Sequence, residues 1–251
     1  MPVVRNIQVF PIKALDPREV SEIQILGSGA LAFDRRWAFV DARGKFVNGK
    51  SRVEVHSIRA EYDLGRLEVA LDGRVYSLER QKHELERCVS ERLSERVELR
   101  ENAELGFPDD TAASGPTFVS RESLALVASW FDLSLQEVRL RFRTNVEFDG
   151  VEAFWEDRLY GFGFEVGDVH VSAINPCKRC VVPSRDPRTG QAAAGFQKRF
   201  TELRRASLPS MAPPALFDHH YRFGVNTRIA PSERGRTIRT GDEVSLGSPR
   251  G

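Results

Sequence analysis

The sequence predicts a protein of mixed α+β class in which β-strands predominate. Short apolar stretches with a period close to two fill the first eighty residues, and turn-forming residues separate them. A helical period of apolar residues appears only in a few segments beyond them. Many short strands joined by turns are typical of a barrel or a sandwich, so we expect the N-terminal part to have one of these forms.

The N-terminal strands are predicted by this two-residue period and by one turn. Strand-like stretches are predicted at residues 7–12, 23–27 and 37–40. Two more stretches, 67–71 and 74–78, flank Asp72-Gly73, a pair that tolerates the positive φ of a tight hairpin turn.

Helices are predicted where apolar residues recur every three or four positions. This spacing over residues 85–97 predicts an amphipathic helix, and it places Cys88 on the apolar face as a buried, inert thiol. Residues 107–116 are rich in Pro, Asp and Gly, which indicates a loop and a domain boundary. Ser120 is placed to cap a following helix over Leu124, Val127 and Phe131.

The C-terminal half is predicted to alternate again between the two kinds of element. Strands are predicted at residues 138–142, 169–174, 223–226 and 244–246. Phe196, Phe200 and Leu203 have the spacing of one more helix.

Composition narrows the class of protein. The formal net charge is +1, from 37 Lys and Arg against 36 Asp and Glu, and it provides no long-range attraction to nucleic acid or anionic lipid. Three cysteines cannot form a disulfide framework. The N-terminus lacks the features of a signal peptide, and no apolar run approaches the ~20 residues that span a bilayer. We expect a soluble, cytoplasmic protein with no nucleic-acid partner.

One short segment of the C-terminal half contains most of the chemistry. A predicted strand meets Pro176, where we expect pairing to end, and Cys177-Lys178-Arg179-Cys180 follows. Neighbouring cations favour thiolate over thiol, and the thiolate is the form that binds metals or exchanges with disulfides.

Four interpretations of this cysteine pair remain open. A thioredoxin-type redox pair would open a helix, whereas Val181-Val182-Pro183 follows here. A zinc site would need further ligands such as His219, His220 or a carboxylate. The pair can also lack a function, or one thiolate can ligate a soft transition metal whose other ligands come from a bound cofactor.

Five sequence motifs occur along the chain in a fixed order. They are Phe10-Pro11-Ile12-Lys13; Asp34-Arg35-Arg36-Trp37; Arg141-Phe142-Arg143-Thr144-Asn145, followed by Glu156-Asp157; Pro176-Cys177-Lys178-Arg179-Cys180 with Asp186-Pro187-Arg188-Thr189-Gly190; and Phe223-Gly224-Val225-Asn226 with Ile238-Arg239-Thr240-Gly241-Asp242. Together they resemble the motifs of the MOSC proteins, a family named for the C-terminal domain of molybdenum-cofactor sulfurase. The resemblance extends from about residue 3 to residue 246.

The resemblance implies a β-barrel N-terminal domain over residues 1–105 and a β-rich MOSC domain with a few helices over residues 106–251. A molybdenum cofactor, a molybdopterin with its metal, would lie between them. The second cysteine of the family's pair ligates molybdenum, which makes Cys180 the expected metal-binding and catalytic residue.

The same resemblance assigns the residues that would surround the cofactor. The family's basic residues near the pterin and its phosphate map onto Lys13, Arg35 and Arg143, and its polar contact maps onto Asn145. Cys177 and Arg179 are also expected beside the cofactor. Cations and forked guanidinium donors match a terminal phosphate well, so these residue types suit the role. Three positions depart from the family's pattern, because Ala14, Thr144 and Leu159 stand where Ser, Pro and Trp are usual.

By this resemblance, we expect an oxidoreductase that reduces N-hydroxylated compounds. The sequence has no set of four cysteines for an iron–sulfur cluster. The electrons are therefore expected from a separate protein, either a flavin reductase or a ferredoxin-like donor. The alternative is a carrier of sulfur or of molybdenum cofactor that has no turnover of its own.

Overall fold

The computed structural model describes residues 1–246, and in that range it contains fifteen strands and four α-helices. The strands are β1 Val3–Val9, β2 Arg18–Val20, β3 Glu22–Gln24, β4 Trp37–Asp41, β5 Ala60–Asp63, β6 Glu68–Leu71, β7 Arg74–Ser77, β8 Val97–Glu101, β9 Phe118–Ser120, β10 Val146–Asp149, β11 Gly163–Val166, β12 Val169–Lys178, β13 Arg222–Ile229, β14 Thr237–Arg239 and β15 Val244–Leu246. The helices are α1 Lys82–Leu93, α2 Arg121–Phe131, α3 Leu135–Phe142 and α4 Phe196–Ala206. The predicted mixed α+β class with a large sheet is confirmed. Residues 247–251 of the predicted second domain lie outside the described residues.

One large sheet connects the two ends of the chain. Its eight strands have the order β15-β11-β12-β13-β9-β10-β1-β2. β1 belongs to the predicted N-terminal domain, yet it pairs antiparallel with β10 of the second half. β3 pairs in the same way with β14, close to the end of the described chain. The halves of the sequence therefore share sheets instead of folding as two separate blocks.

The remaining strands of the N-terminal half surround their own apolar core. β4 pairs with β8, and β5, β6 and β7 form a meander. Asp72 and Gly73 join β6 to β7 with φ values of +50° and +80°, so the predicted hairpin turn is confirmed. The side chains of Trp37 and Leu85 are almost completely buried in this core, where α1 covers the strands.

Aromatic side chains form a second core between the helices and the large sheet. Phe200 of α4 packs edge-on against Phe223 of β13, with ring centroids 6.1 Å apart, and it also contacts Phe142 of α3. The predicted helix cap at Ser120 is confirmed, because its side chain accepts a hydrogen bond from the Ser123 backbone N–H. No helix in residues 1–246 combines the length and apolar character that a bilayer crossing requires.

The strand predicted at residues 138–142 is wrong, because these residues belong to α3. The Ser134 side chain accepts a hydrogen bond from the Glu137 N–H and caps the helix. One turn later, Arg141 pairs with Glu137 at 2.7 Å. Val138 and Phe142 alternate with charged residues, but they also lie four positions apart, and capping and packing select the helical period.

Two further predictions placed element boundaries incorrectly. The helix predicted over residues 85–97 ends at Leu93, because Ser94 adopts a left-handed conformation and Val97 begins β8. The structure places Cys88 half-buried beside the N-terminal core. β12 does not end before Pro176: it continues to Lys178 with Pro176 opposite Val225, and a register irregularity follows.

A buried ion pair connects α4 to the segment that follows β10. Arg204 contacts Asp157, with side chains only 1% and 3% exposed, and its guanidinium lies 3.9 Å from the Phe154 ring centroid. Loss of one partner leaves an uncompensated buried charge.

Arg204→Met is therefore expected to lower the free energy of unfolding by about 3–5 kcal/mol, measured by urea denaturation. The control is Arg5→Met, which removes a pair with Asp149 whose arginine is 51% exposed, and it should cost at most about 1 kcal/mol. Equal effects of the two substitutions would contradict this assignment.

Candidate functional site

The first two sequence motifs lie side by side. The backbone N–H of Arg35 donates to the Phe10 carbonyl at 2.9 Å, and the N–H of Lys13 donates to the Trp37 carbonyl at 2.7 Å. The Phe10 N–H donates to Oδ1 of Asp34 at 2.9 Å. Lys13 and Arg35 are thereby held close together, although they are distant in sequence.

Asn145 connects the third motif to the first two. Its Nδ2 donates to the Gln8 carbonyl at 3.0 Å and to Oδ1 of Asp34 at 3.1 Å, and its Oδ1 accepts from the Thr117 N–H at 3.1 Å. The residue is 2% exposed and does not line the cleft described below. The structure therefore gives Asn145 a positioning role and does not bring its amide to the surface where a ligand would lie.

A cleft with two lobes opens beside these motifs. The first lobe has a volume of about 170 Å³ and the second of about 540 Å³. Both lobes are lined by Arg35, Lys50, Asp109, Arg143, Cys177, Lys178, Arg179 and Cys180. Lining only the first lobe are Lys13, Ala14, Asp16, Asn48, Gly49, His56, Arg59, Leu140, Arg141, Phe142, Val182, Pro183, Arg185 and Pro187. Nine Lys and Arg side chains against two carboxylates make the first lobe strongly cationic, although the whole chain is nearly neutral.

Two arginines of the cleft contact the same aromatic ring. The guanidinium of Arg143 lies 4.1 Å from the centroid of Phe10, and that of Arg35 lies 5.3 Å from it. Arg35 is paired with Asp34. Among the described residues, the Arg143 side chain has no hydrogen bond and no ion pair. Burial and the charge of Arg35 lower the pKa of Arg143 to about 10, so an anion placed between them would be stabilised by both groups.

The backbone around this pair of arginines is held in an uncommon conformation. Ala14, Arg35 and Arg143 have φ values of +73°, +51° and +52°. Non-glycine residues reach this left-handed region at a cost, and such residues concentrate at functional sites. In Arg143 the conformation ends α3, with its N–H donating to the Arg139 carbonyl at 2.8 Å.

Lys13 reaches the cleft as a buried ammonium group. Its Nζ donates to the Phe107 carbonyl and to Oδ1 of Asp109, both at 2.8 Å. Burial lowers the pKa of Lys13, and Asp109 partly offsets this. Burial alone would raise the pKa of the Asp109 carboxyl, but Lys13 and then Arg35 outweigh it and lower the pKa to about 2. The predicted loop at residues 107–116 thus places the Asp109 carboxylate close to Lys13 and Arg35.

The two cysteines lie where β12 ends. Cys177 is the penultimate residue of β12, and Cys180 precedes a short 3-10 helix over Val182–Ser184. Both thiols are free, half-buried and directed at both lobes. The Val182 N–H donates to Sγ of Cys180 at 3.4 Å. Arg35, Lys50, Arg143, Lys178 and Arg179 line the same two lobes, so the cysteine loop lies among positive charges.

Arg179 fixes the loop that contains the cysteines. Its Nε and Nη2 donate to the Phe223 carbonyl at 2.9 and 2.6 Å, and its Nη1 donates to the Phe142 carbonyl at 2.7 Å. All three nitrogens of the guanidinium are thereby engaged with backbone of β13 and α3. Arg179 lines the cleft as predicted, but its contacts make it a positioning residue for Cys180.

Several lining residues were not predicted from the sequence. Nε2 of His56 donates a hydrogen bond to the Gly49 carbonyl, 3.3 Å away, and burial lowers the pKa of His56. Asp16 pairs with Arg59 at 3.3 Å. These residues lie in short N-terminal segments with no distinctive spacing.

The described residues contain no ready-made set of protein ligands for a metal ion. No three His, Cys, Asp or Glu side chains in residues 1–246 are grouped in a way that could hold one. What the cleft offers instead is a single soft sulfur ligand at Cys180, with a second thiol at Cys177, and many cations. This donor set suits a metal that arrives with ligands of its own on an anionic carrier.

The fold and the cleft together define a protein with an N-terminal β domain, a sheet-rich second half and a cationic cleft that two cysteines line. The MOSC N-terminal beta barrel domain matches residues 1–107, and the MOSC domain matches residues 113–245. The chain belongs to the MOSC family.

Curated relatives and solved structures are distant. The chain is 24% identical to the molybdenum cofactor sulfurase of Drosophila erecta over 268 residues and 26% identical to that of Drosophila yakuba over 244 residues. These alignments cover 93% and 82% of the chain but 32% and 31% of the relatives, so the chain spans about a third of their length. The YuaD protein from Bacillus subtilis is 12% identical with a TM-score of 0.42, covering 98% of this chain and 96% of that one. YiiM from Geobacillus stearothermophilus is 14% identical with a TM-score of 0.33, covering 53% and 54%.

The ion pair between Lys13 and Asp109 leads to a prediction of how the stability of the fold depends on pH. Lys13→Met should raise the pKa of Asp109 above its value of about 2, because the carboxylate then loses the cation that lies 2.8 Å away. Since the pKa in the folded protein lies below the ordinary value, the pair stabilises the fold at neutral pH and loses this contribution as the pH falls through about 4 to about 2. The variant should therefore lose less stability over that interval.

The pKa is measured by NMR titration of the Asp109 carboxyl carbon, and stability by urea denaturation at each pH. Lys45→Met, a substitution in the turn after β4 and outside the cleft, should leave the pKa of Asp109 unchanged. An unaltered Asp109 titration in Lys13→Met would show that the two groups do not interact as described.

Proposed function

We propose that this protein holds a molybdenum cofactor in the cleft, with Cys180 as the ligand to molybdenum, and reduces N-hydroxylated compounds. Electrons would come from a separate protein, a flavin reductase or a ferredoxin-like donor. The observation that carries this proposal is the cleft itself, which has an unpaired guanidinium at Arg143 and a soft, half-buried thiol at Cys180. Few ligands need both an anion site and a sulfur donor, and a phosphorylated cofactor that carries a soft metal is one of them.

The cations of the first lobe suit the phosphate of such a cofactor. Arg35 and Arg143 each place a guanidinium group near the Phe10 ring, and Lys13 adds a buried ammonium group. Charge-assisted hydrogen bonds to phosphate are about twice as strong as neutral ones, and guanidinium groups can donate two at once. A phosphate would also relieve the repulsion that lowers the pKa of Arg143.

At the other end of the site, the chain's part is to supply and orient one sulfur. The Val182 N–H donates a hydrogen bond to Sγ of Cys180, and Arg179 fixes the cysteine loop to β13 and α3. When bound, the cofactor would supply the two-electron redox chemistry. Reduction of an N–OH group to N–H consumes two electrons and two protons and releases water, and the second lobe gives a substrate access to Cys180.

The names of the relatives favour a second candidate, a sulfur or cofactor carrier. The two fly proteins are named molybdenum cofactor sulfurases, and the chain matches about a third of each. In this alternative, Cys180 would hold a sulfane sulfur as a persulfide, or the cleft would pass a mature cofactor to another enzyme. The cleft would be used in the same way, but the protein would have no turnover of its own.

Substitution of the cysteines tests the assignment of the metal ligand. Protein is purified from a host that makes molybdopterin, and bound molybdenum is measured by mass spectrometry. Cys180→Ser should remove nearly all of the metal, because a hydroxyl is a hard and poorly ionised ligand. Cys177→Ser should retain most of it, and Cys88→Ser, a control outside the cleft, should retain all of it. Equal losses in Cys177→Ser and Cys180→Ser would favour a dithiol site instead.

Turnover separates the two candidate functions. Wild-type protein that contains molybdenum should reduce benzamidoxime when a chemical electron donor is added. The product is measured by chromatography. Molybdenum without turnover, or sulfane sulfur without molybdenum, would support the carrier.

Arg143 offers a test of the anion site that is independent of folding. Arg143→Gln should lower pterin content per protein at least about tenfold, since a hydrogen bond to a charged group contributes about 1.5–3 kcal/mol. Stability in urea should not fall, because Arg143 has no ionic partner among the described residues and is repelled by Arg35.

Pterin fluorescence after oxidation measures the cofactor in this test. Arg59→Gln is the matched control, because Arg59 lines the same lobe but is already paired with Asp16. Full pterin content in Arg143→Gln would contradict the proposed phosphate site.

A further inference from the structure

The second lobe of the cleft differs from the first in its chemistry. Of the described residues, those that line only this lobe include two carboxylates, two amides and three hydroxyls, and no Lys, Arg or His. Arg35, Lys50, Arg143, Lys178 and Arg179 line both lobes, so what distinguishes the second lobe is the wall that these carboxylates, amides and hydroxyls form. The second lobe reaches Cys177 and Cys180 from the other side.

One carboxylate of this lobe is available to a ligand. Asp34 is already engaged by the Phe10 N–H, by Asn145 and by Arg35. Asp110 uses Oδ1 to accept from the N–H groups of Ala112 and Ala113, at 2.9 and 3.2 Å. These two bonds fix the side chain. Its Oδ2 has one contact, at 3.4 Å, which is at the long end of the hydrogen-bond range.

That contact is Nδ2 of Asn175, which lies in a chain of amide hydrogen bonds. Oδ1 of Asn175 accepts from Nδ2 of Asn226 at 3.1 Å, and Oδ1 of Asn226 accepts from the Thr117 hydroxyl at 3.4 Å. Nδ2 of Asn175 carries two N–H groups and donates one of them to Asp110, so the second can donate to a ligand. Asp110 Oδ2 and Asn175 Nδ2 therefore form an acceptor and a donor side by side on the wall of the second lobe.

We propose that the second lobe is the subsite for the substrate's head group, and that Asp110 and Asn175 select an uncharged planar head with an N–H donor beside a lone-pair acceptor. Carboxamides, ureas and amidoximes have this pattern. A carboxylate of the same shape has no N–H and is repelled by Asp110. The inference rests on the proposed function for its meaning as a substrate site, but it is tested by binding alone.

The test uses benzamide and benzoate, which have nearly the same shape, and protein labelled with 15N only at asparagine. The chain has six asparagines, so their side-chain amide signals are few. Asn175 and Asn226 report on the second lobe, Asn48 reports on the first, and Asn6 in β1 lies outside both.

Benzamide should shift the signals of Asn175 and Asn226 and leave Asn48 and Asn6 unchanged. Benzoate should shift those two signals only at about tenfold higher concentration or more, because it loses one hydrogen bond and meets a like charge. If benzoate shifts the Asn48 signal alone, it binds to the cations of the first lobe, and this result would agree with the proposal. Equal shifts of Asn175 by both compounds would overturn it, as would no shift by benzamide.

Asp110→Asn makes the assignment residue-specific. Its Oδ1 can still accept from Ala112 and Ala113, but its Nδ2 then points a donor at the N–H of the ligand, so benzamide should bind about fivefold to tenfold more weakly. The control is Asp41→Asn, because Asp41 is also half-buried, also accepts two backbone N–H groups at 2.9 Å, and lies outside the cleft. Unchanged benzamide affinity in Asp110→Asn would overturn the role of this carboxylate. Benzamide binding without benzamidoxime turnover would preserve the subsite and refute the proposed reductase.

Discussion

The site depends on two guanidinium groups that contact the same aromatic ring. Arg35 and Arg143 both contact Phe10, and among the described residues only Arg35 of the two forms an ion pair, with Asp34. Two positive charges held next to the same ring repel each other and destabilise the fold unless a negative charge lies between them. The left-handed backbone at both arginines adds a further cost. A protein retains such an arrangement when a ligand recovers the energy, and an anion of high charge density does this best.

The rest of the cleft is built to hold that arrangement in place. Asp34 and Asn145 join segments that are far apart in sequence. Asn145 lines neither lobe, and Asp34 lines only the second, where Phe10, Asn145 and Arg35 already engage its carboxylate. Arg179 does the same for the cysteine loop by bonding backbone carbonyls of two other elements. The polar residues of the motifs thus divide into two groups. In the exposed group, Arg143 lines the cleft without a hydrogen bond from its side chain among the described residues, whereas the supporting group of Asp34, Asn145 and Arg179 holds other segments in place.

The sequence contained enough information for the family, for the main strands and for most of the cleft. Lys13, Arg35, Arg143 and the cysteine pair all line it, because their motifs are specific. Spacing alone could not separate the exposed group from the supporting group, and so Asn145 was expected to touch a ligand. The helix α3 was missed because alternating apolar residues fit a strand as well as a helix over five positions, and only the cap at Ser134 decides between them. His56 carried no signal, since its place is set by tertiary packing.

Two of the sheets combine strands from both halves of the sequence, and this has a consequence for the order in which the protein can fold. β1 is completed by a strand from the second half, and the cysteine loop is anchored to Phe223 of β13, which is made late in translation. A nascent chain on the ribosome therefore cannot assemble the cleft until β13 has emerged. The cleft can therefore be completed only after residues 1–229 have been synthesised, and a chain truncated before β13 would lack the Phe223 carbonyl that anchors Arg179.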